Sequence, residues 1–288
     1  MFVVAVWWAH VLVDCFSAEG VAILWPVPGG RVAFGFLHGT DFWFAGPLVV
    51  TAVWLACMPV EKPVKGRGKK ATAPPVAKRR KLLRWGLGLS VGYALLAVGM
   101  QWRAATAFEA DLARRGTKWV RRVESPTPFN ILLWRSVVDR GTEFWVGYRS
   151  VFDPASNPVR WTIYPKNDEA LAGVAALREV KTLATVTQGW WIARTHAKGA
   201  WLGDLRLPEA RTWGSKKGTV DSRLAASWVV DASAKGDRLR QIPPSGGMGG
   251  DYLERLLKRI FNNRENWEAN PRLAGIAGSL PEFLPVEE

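Results

Sequence analysis

Apolar and polar positions are spread unevenly along this 288-residue chain. Phe42 to Pro59 reads FWFAGPLVVTAVWLACMP and approaches the roughly 20 apolar residues that a bilayer-crossing helix needs. Trp85 to Trp102, WGLGLSVGYALLAVGMQW, is also uncharged and carries a Trp at each end, as a membrane–water interface favours. Met1 to Phe16, MFVVAVWWAHVLVDCF, is shorter and contains His10 and Asp14. Between the first two runs in chain order lies VAILWPVPGGRVAFGFL, which is apolar but holds Pro26, Pro28, Gly29 and Gly30. No helix passes through that cluster, so a re-entrant or surface hairpin is expected. The chain opens on an apolar run with no basic segment before it, and His10 and Asp14 are foreign to the core of a cleavable signal. A retained helix is expected there.

Beyond Trp102 the pattern changes. The helix is expected to continue through ATAFEADLARRG into water, and short runs of alternating character follow. TKWVRRV, TEFWVGYRSVF and VRWTIYP read as strands, with Phe144, Val146 and Tyr148 opposed to Trp145, Gly147 and Arg149. DPASNP, residues 153–158, is a turn between two of them. Residues 168–187 suit a helix, and GWWIARTH with GAWLGDLRLP suits a hairpin turning near Lys198 and Gly199. Trp228 to Val230 adds a strand, Pro243 to Gly247 a linker, and Asp251 to Asn262 an amphipathic helix. The expected fold class is therefore a membrane α-helical N-terminal part of about three apolar helices, residues 1–102, followed by a soluble α+β domain, residues 103–288.

The net charge of +14 invites a nucleic-acid reading, but its distribution points elsewhere. Residues 60–84 hold ten basic side chains against Glu61 alone, a surplus of nine. A basic cluster between two apolar segments is first a topology signal that marks a cytoplasmic loop. No nucleic-acid partner is expected; membrane lipids are. With that loop inside, the protein is a multi-pass protein of the inner (cytoplasmic) membrane whose C-terminal domain lies outside the cytoplasm, together with Asp14 and Asp41. Cys15 and Cys57 sit in apolar runs with no spacing of a zinc knuckle or a disulfide framework.

Ionisable groups in an apolar helix are costly and usually serve a purpose. His10 and Asp14, four apart, share one helix face, and His38 and Asp41 form a second pair before the next apolar run. Imidazole with carboxylates at a membrane surface suits zinc or manganese and a metal-activated water. The bland alternative is a His10–Asp14 hydrogen bond with Asp41 as a helix N-cap. His196, near Asp204 and Arg206, reads as a strand-surface residue. No serine elbow and no glycine-rich phosphate loop is present.

Several pieces together resemble a known family. They are His10-Val-Leu-Val-Asp14, Glu19-Gly20, Leu24-Trp25-Pro26 and Asp41 ahead of an aromatic helix. Pro126-Thr127-Pro128-Phe129-Asn130 leading to Trp134-Arg135, and Gly203-Asp204-Leu205-Arg206, complete the set. This combination resembles the YdjM-like family of membrane-bound metal-dependent hydrolases, also described as LexA-binding inner-membrane proteins. The resemblance spans about residues 8 to 206 and implies a divalent metal held by His10, Asp14 and Asp41. It lacks the upstream H-R-G-x-T-H-S stretch whose histidines are expected to supply half of that site. The leading expectation is a membrane-bound metal-dependent hydrolase acting on a phosphoester or lipid-linked substrate. The rival is a non-catalytic membrane-anchored protein that binds a protein partner or the envelope.

Overall fold

A computed structural model describes residues 1–23, 30–39, 41–58, 75–210, 223–242, 251–264, 267 and 282–283. Three helices come first: α1, Phe2–Asp14, α2, Phe42–Cys57, and α3, Pro75–Arg114. Asp41 caps α2 by accepting from the Trp43 and Phe44 N–H groups. α3 forms because Leu, Ala, Lys and Arg dominate its sequence, and Pro75 occupies the first position, where a missing N–H costs nothing. α2 runs antiparallel along the first half of α3. Arg79 donates to the Leu55 and Met58 carbonyls at the end of α2, and Ser90 donates to the Phe44 carbonyl at its start. Between them Gly86 lets the helices close, for a Cβ there would lie 2.2 Å from Thr51 Oγ1.

The expected fold class does not hold. Among the described residues only one helix, Val76–Arg114, is long and apolar enough to cross a membrane. α1 and α2 have 13 and 16 residues. At about 1.5 Å per residue they rise roughly 20 and 24 Å, short of the ~30 Å hydrocarbon core. Nor is the C-terminal part a separate unit. Ala97, Ala104, Phe108 and Leu112 of α3 share a buried cluster with Phe36, Leu37, Trp134, Val138, Trp145 and Trp161. The charges that begin at Arg103 mark a change of surroundings within one helix, so a boundary at residue 102 falls inside a continuous element. The basic stretch is helical from Pro75 onward rather than a loop to residue 84; residues 59–74 lie outside the described residues.

Two antiparallel sheets follow. The first has the order β1 (Arg121–Pro126), β2 (Leu133–Asp139), β3 (Glu143–Ser150), β4 (Trp161–Pro165), β9 (Glu282–Phe283). The second has β5 (Trp191–His196), β6 (Gly199–Ala210), β7 (Arg223–Asp231) and β8 (Leu239–Ile242) in that order. Alternation along β3 sends Trp145 toward α3, while Phe144, Val146 and Tyr148 face Ile192, Trp201 and Val229 of the second sheet. Arg135, fully buried, ties the sheets by donating to the Leu205 carbonyl at 2.6 Å. The far face of the second sheet is covered by a 3-10 turn, Asp168–Leu171, and α4, Arg178–Thr187. The expected helix over 168–187 is thus broken around Gly173. α5, Asp251–Ile260, inserts Tyr252, Leu256 and Ile260 into the core between the sheets. The expected linker at residues 243–247 lies outside the described residues.

α3 positions everything else. Asp111, near its end, accepts from the Trp161 indole at 2.9 Å, the Val159 N–H at 3.0 Å and Arg115 at 2.9 Å. Fully buried Phe108 and Trp161 lie beside it, each contributing about 1.5–3 kcal/mol of apolar burial.

Candidate functional site

α1 ends at Asp14, and the chain then turns back on itself. Val21 and Val32 exchange backbone hydrogen bonds of 3.0 and 2.9 Å. Arg31 locks this hairpin by donating to the Glu19 and Gly20 carbonyls at 2.9 and 2.6 Å. Gly20, with φ +61, leads into this pairing; a Cβ there would meet the Val32 carbonyl oxygen at 2.3 Å. The fold-back brings Leu37, His38 and Asp41 beside the end of α1. A cavity of about 990 Å³ results, lined by His10, Asp14, Glu19, Arg31, His38 and Asp41 and walled by apolar side chains of α1 and α2.

Within it, His10 Nε2 lies 3.5 Å from Asp14 Oδ2, with the side chains 74% and 44% exposed. The helical spacing therefore pairs them as the sequence predicts, at a distance beyond a good hydrogen bond. Asp41 lines the same cavity but is engaged elsewhere. Its Oδ1 accepts from Trp43 N at 3.0 Å and Phe44 N at 3.3 Å, and its Oδ2 accepts from the Tyr93 hydroxyl at 2.9 Å. It is the N-cap of α2 and its anchor to α3. Burial pushes the Asp41 carboxyl up, against the lowering effect of those three donors. Burial likewise raises Glu19, opposed by Arg206 and Arg31 and reinforced by Asp204 and Asp14. Glu19 presents surface to solvent, yet enough protein surrounds its carboxyl for the desolvation to dominate. Burial lowers the half-buried His38.

Among the described residues no group of three or more His, Cys, Asp or Glu side chains is arranged to hold a metal ion. His10 and Asp14 approach as a pair. Asp41 does not join them, because both of its oxygens already serve the helix start and Tyr93. The expected set of His10, Asp14 and Asp41 thus shares a cavity without forming a three-ligand centre, and the residues present do not fit zinc or manganese as they stand. His196 sits at the β5–β6 turn, where its Nδ1 accepts from Lys198 N at 3.2 Å.

Two distant sequence elements close around this region. Asn130 folds the Pro126–Asn130 loop by donating to Thr127 Oγ1 and accepting from the Leu132 and Leu133 N–H groups. That loop holds Phe129 at φ 68, a conformation rare for a bulky residue. Phe129 thereby stacks on Phe42, the first residue of α2, with centroids 5.1 Å apart and planes 9° apart. Asp204 and Arg206 form a buried ion pair, Nη2 to Oδ2 2.6 Å, each 4% exposed at the side chain. Arg206 Nη1 also reaches the Glu19 carbonyl at 3.4 Å. In the sequence Glu19, Arg206 and Phe129 stand in separate fragments that no local pattern assigns to one place, and Arg31 and Tyr93 have no expected role. The charge of Arg31 inside an apolar run was the one local signal.

Comparison with known proteins adds nothing to this geometry: no protein family, no curated protein and no solved structure matches the chain.

Proposed function

We propose that the chain is a membrane-bound hydrolase of the YdjM-like type, acting on an ester-like bond in a phosphoester or lipid-linked substrate. The observation that carries this reading is the cavity, which sets the His10–Asp14 pair against apolar walls at the foot of an apolar helix. Such a site suits a ligand with a polar head and an acyl tail. α3 supplies the crossing, with Lys78 to Arg84 at its cytoplasmic end and the sheets and cavity toward the opposite side of the inner membrane. His10 takes a proton from the attacking water while Asp14 stabilises the resulting imidazolium. Glu19, its carboxyl raised by burial, returns a proton to the leaving oxygen. Arg31 offers positive charge to an anionic group.

The engagement of Asp41 favours a second reading, a non-catalytic anchor whose cavity only binds. Turnover of phosphodiester and lipid-linked ester probes by the full chain in vesicles separates the two, run with zinc, with manganese and with chelator. The hydrolase reading expects activity that His10→Ala and Asp14→Asn abolish and His196→Ala leaves intact. Absence of turnover in every arm supports the binding reading instead. Reporter fusions at residues 72 and 288 should report opposite compartments; the same compartment for both would refute the crossing by α3.

A further inference from the structure

α5 carries two apolar stripes. Tyr252, Leu256 and Ile260 face the core. Leu253, Leu257 and Phe261, again four apart, face outward at 56%, 48% and 69% exposure. A helix that needed only to cover the sheets would present polar residues there. The outward stripe does not end at α5, because Phe261 stacks on Phe152, itself 54% exposed, with centroids 5.5 Å apart and planes 15° apart. The helix is held firmly in this pose. Arg259 makes a two-point ion pair with Asp153, both bonds 2.8 Å, and Ser150 donates to the Ile260 carbonyl at 2.6 Å.

The position of the stripe gives it meaning. Arg103 of α3 donates to the carbonyl of Val151, the neighbour of Phe152, at 3.1 Å. Arg103 directly follows Trp102, the exposed aromatic that ends the uncharged part of α3. At its other end α5 meets α2, since Tyr252 packs edge-on against Phe129, which stacks on Phe42. These contacts set α5 at the end of the sheets that faces the proposed bilayer, with its outward stripe meeting the α3 surface through Phe261 and Phe152 and its core side meeting α2 through Phe129. Arg103 places positive charge at the level of the phosphates, while Lys258 on the neighbouring face of α5 is paired with Glu254.

We infer that Leu253, Leu257, Phe261 and Phe152 form a second membrane contact, lying in the headgroup–acyl boundary of the leaflet next to the sheets, so that α5 fixes the tilt of the sheet domain over the bilayer. This inference rests on the reading that α3 crosses that bilayer. It predicts shallow insertion, about 5–10 Å, rather than spanning.

Spin labels on the full chain in vesicles of neutral and anionic phospholipid test it. Cys15 is buried and Cys57 exposed, so a Cys57→Ser background leaves single introduced cysteines as the labelled sites. Labels at Leu257→Cys, at Leu95→Cys on α3 and at Lys235→Cys on the exposed β7–β8 turn are compared for collision with oxygen and with a water-soluble nickel chelate. The expected result is a severalfold higher oxygen-to-nickel ratio at 257 than at 235, with 95 higher still. A ratio at 257 equal to that at 235, while 95 remains lipid-like, overturns the α5 contact and leaves the crossing intact. Water-like values at 95 overturn the crossing and this inference together. Protection of 257 from both reagents also overturns it, by showing that a second copy or another protein covers the stripe.

Discussion

The two halves of α3 have the same backbone and opposite surroundings. From Trp85 to Trp102 the helix turns Leu87, Leu89, Val91, Leu95 and Leu96 outward, with Leu95 68% exposed. A few turns later Phe108 is fully buried and Leu112 nearly so, packed on the sheet through Trp161 and Trp145. Apolar character alone does not say what will cover it. The first half stays exposed apart from the strip that α2 occupies, and under the proposed crossing it faces lipid; in the second half the partner is a β-sheet. The change from exposed to sheet-covered happens without a break in the helix, at the point where the sequence predicts a domain boundary.

The most severe way to break this comparison is to cut between the halves. A chain beginning at residue 103 loses Ala97, Phe36 and Leu37 from the cluster that holds Phe108, Trp134 and Trp161. It should show no cooperative thermal transition in aqueous buffer, whereas the full chain in detergent should show one. A cooperative melt of the cut chain would make the sheets an independent domain after all.

Single substitutions sharpen the comparison at smaller cost. Phe108→Ala should destabilise the detergent-solubilised protein by about 3–5 kcal/mol, since it opens a cavity between α3 and the sheet. Leu95→Ala should stay within about 0.5 kcal/mol in the same measurement, because detergent covers the site in folded and unfolded states alike. Equal effects at the two positions would mean that α3 does not pack on the sheet as described.

How legible each region was in the sequence follows the same division. β3, β4 and the β5–β6 hairpin were readable because alternation or a turn marked them. β2 was not recognised as a strand: all seven of its residues are buried, so both faces are covered and LWRSVVD lacks a polar side to alternate with. The helix expected over 168–187 runs through Gly173, where the chain instead separates a 3-10 turn from α4. At the site, the His10–Asp14 pair was visible in four-residue spacing, and the capping role of Asp41 was visible as the alternative to metal binding. The gathering of Glu19, Arg31 and Arg206 was not. It depends on a fold-back and on a contact between residues 187 apart in the chain, which no local pattern encodes.

The smallest expected effect concerns acid, and it separates the sheets from the uncharged half of α3. Asp139, at the end of β2 remote from the proposed bilayer, is buried, and burial alone would raise its carboxyl. Lys166 at 2.6 Å, the Gly141 N–H at 2.9 Å and Arg121 at 3.1 Å outweigh that and hold it below the ordinary value of 3.8. A folded-state value below the unfolded one means that the unfolded chain binds the proton more readily. Its contribution to stability is therefore complete above pH 3.8 and is lost as pH falls through the lower, folded-state value. Asp139→Asn should weaken the protein near neutral pH and flatten the acid side of its stability profile, measured as denaturation midpoint against pH. Between Trp85 and Trp102 there is no carboxylate at all, so this half of α3 adds no such dependence of its own. Should Asp139→Asn leave the acid limb as steep as in the parent chain, the acid sensitivity arises elsewhere, and the Lys166 and Arg121 contacts do not hold this carboxylate in solution.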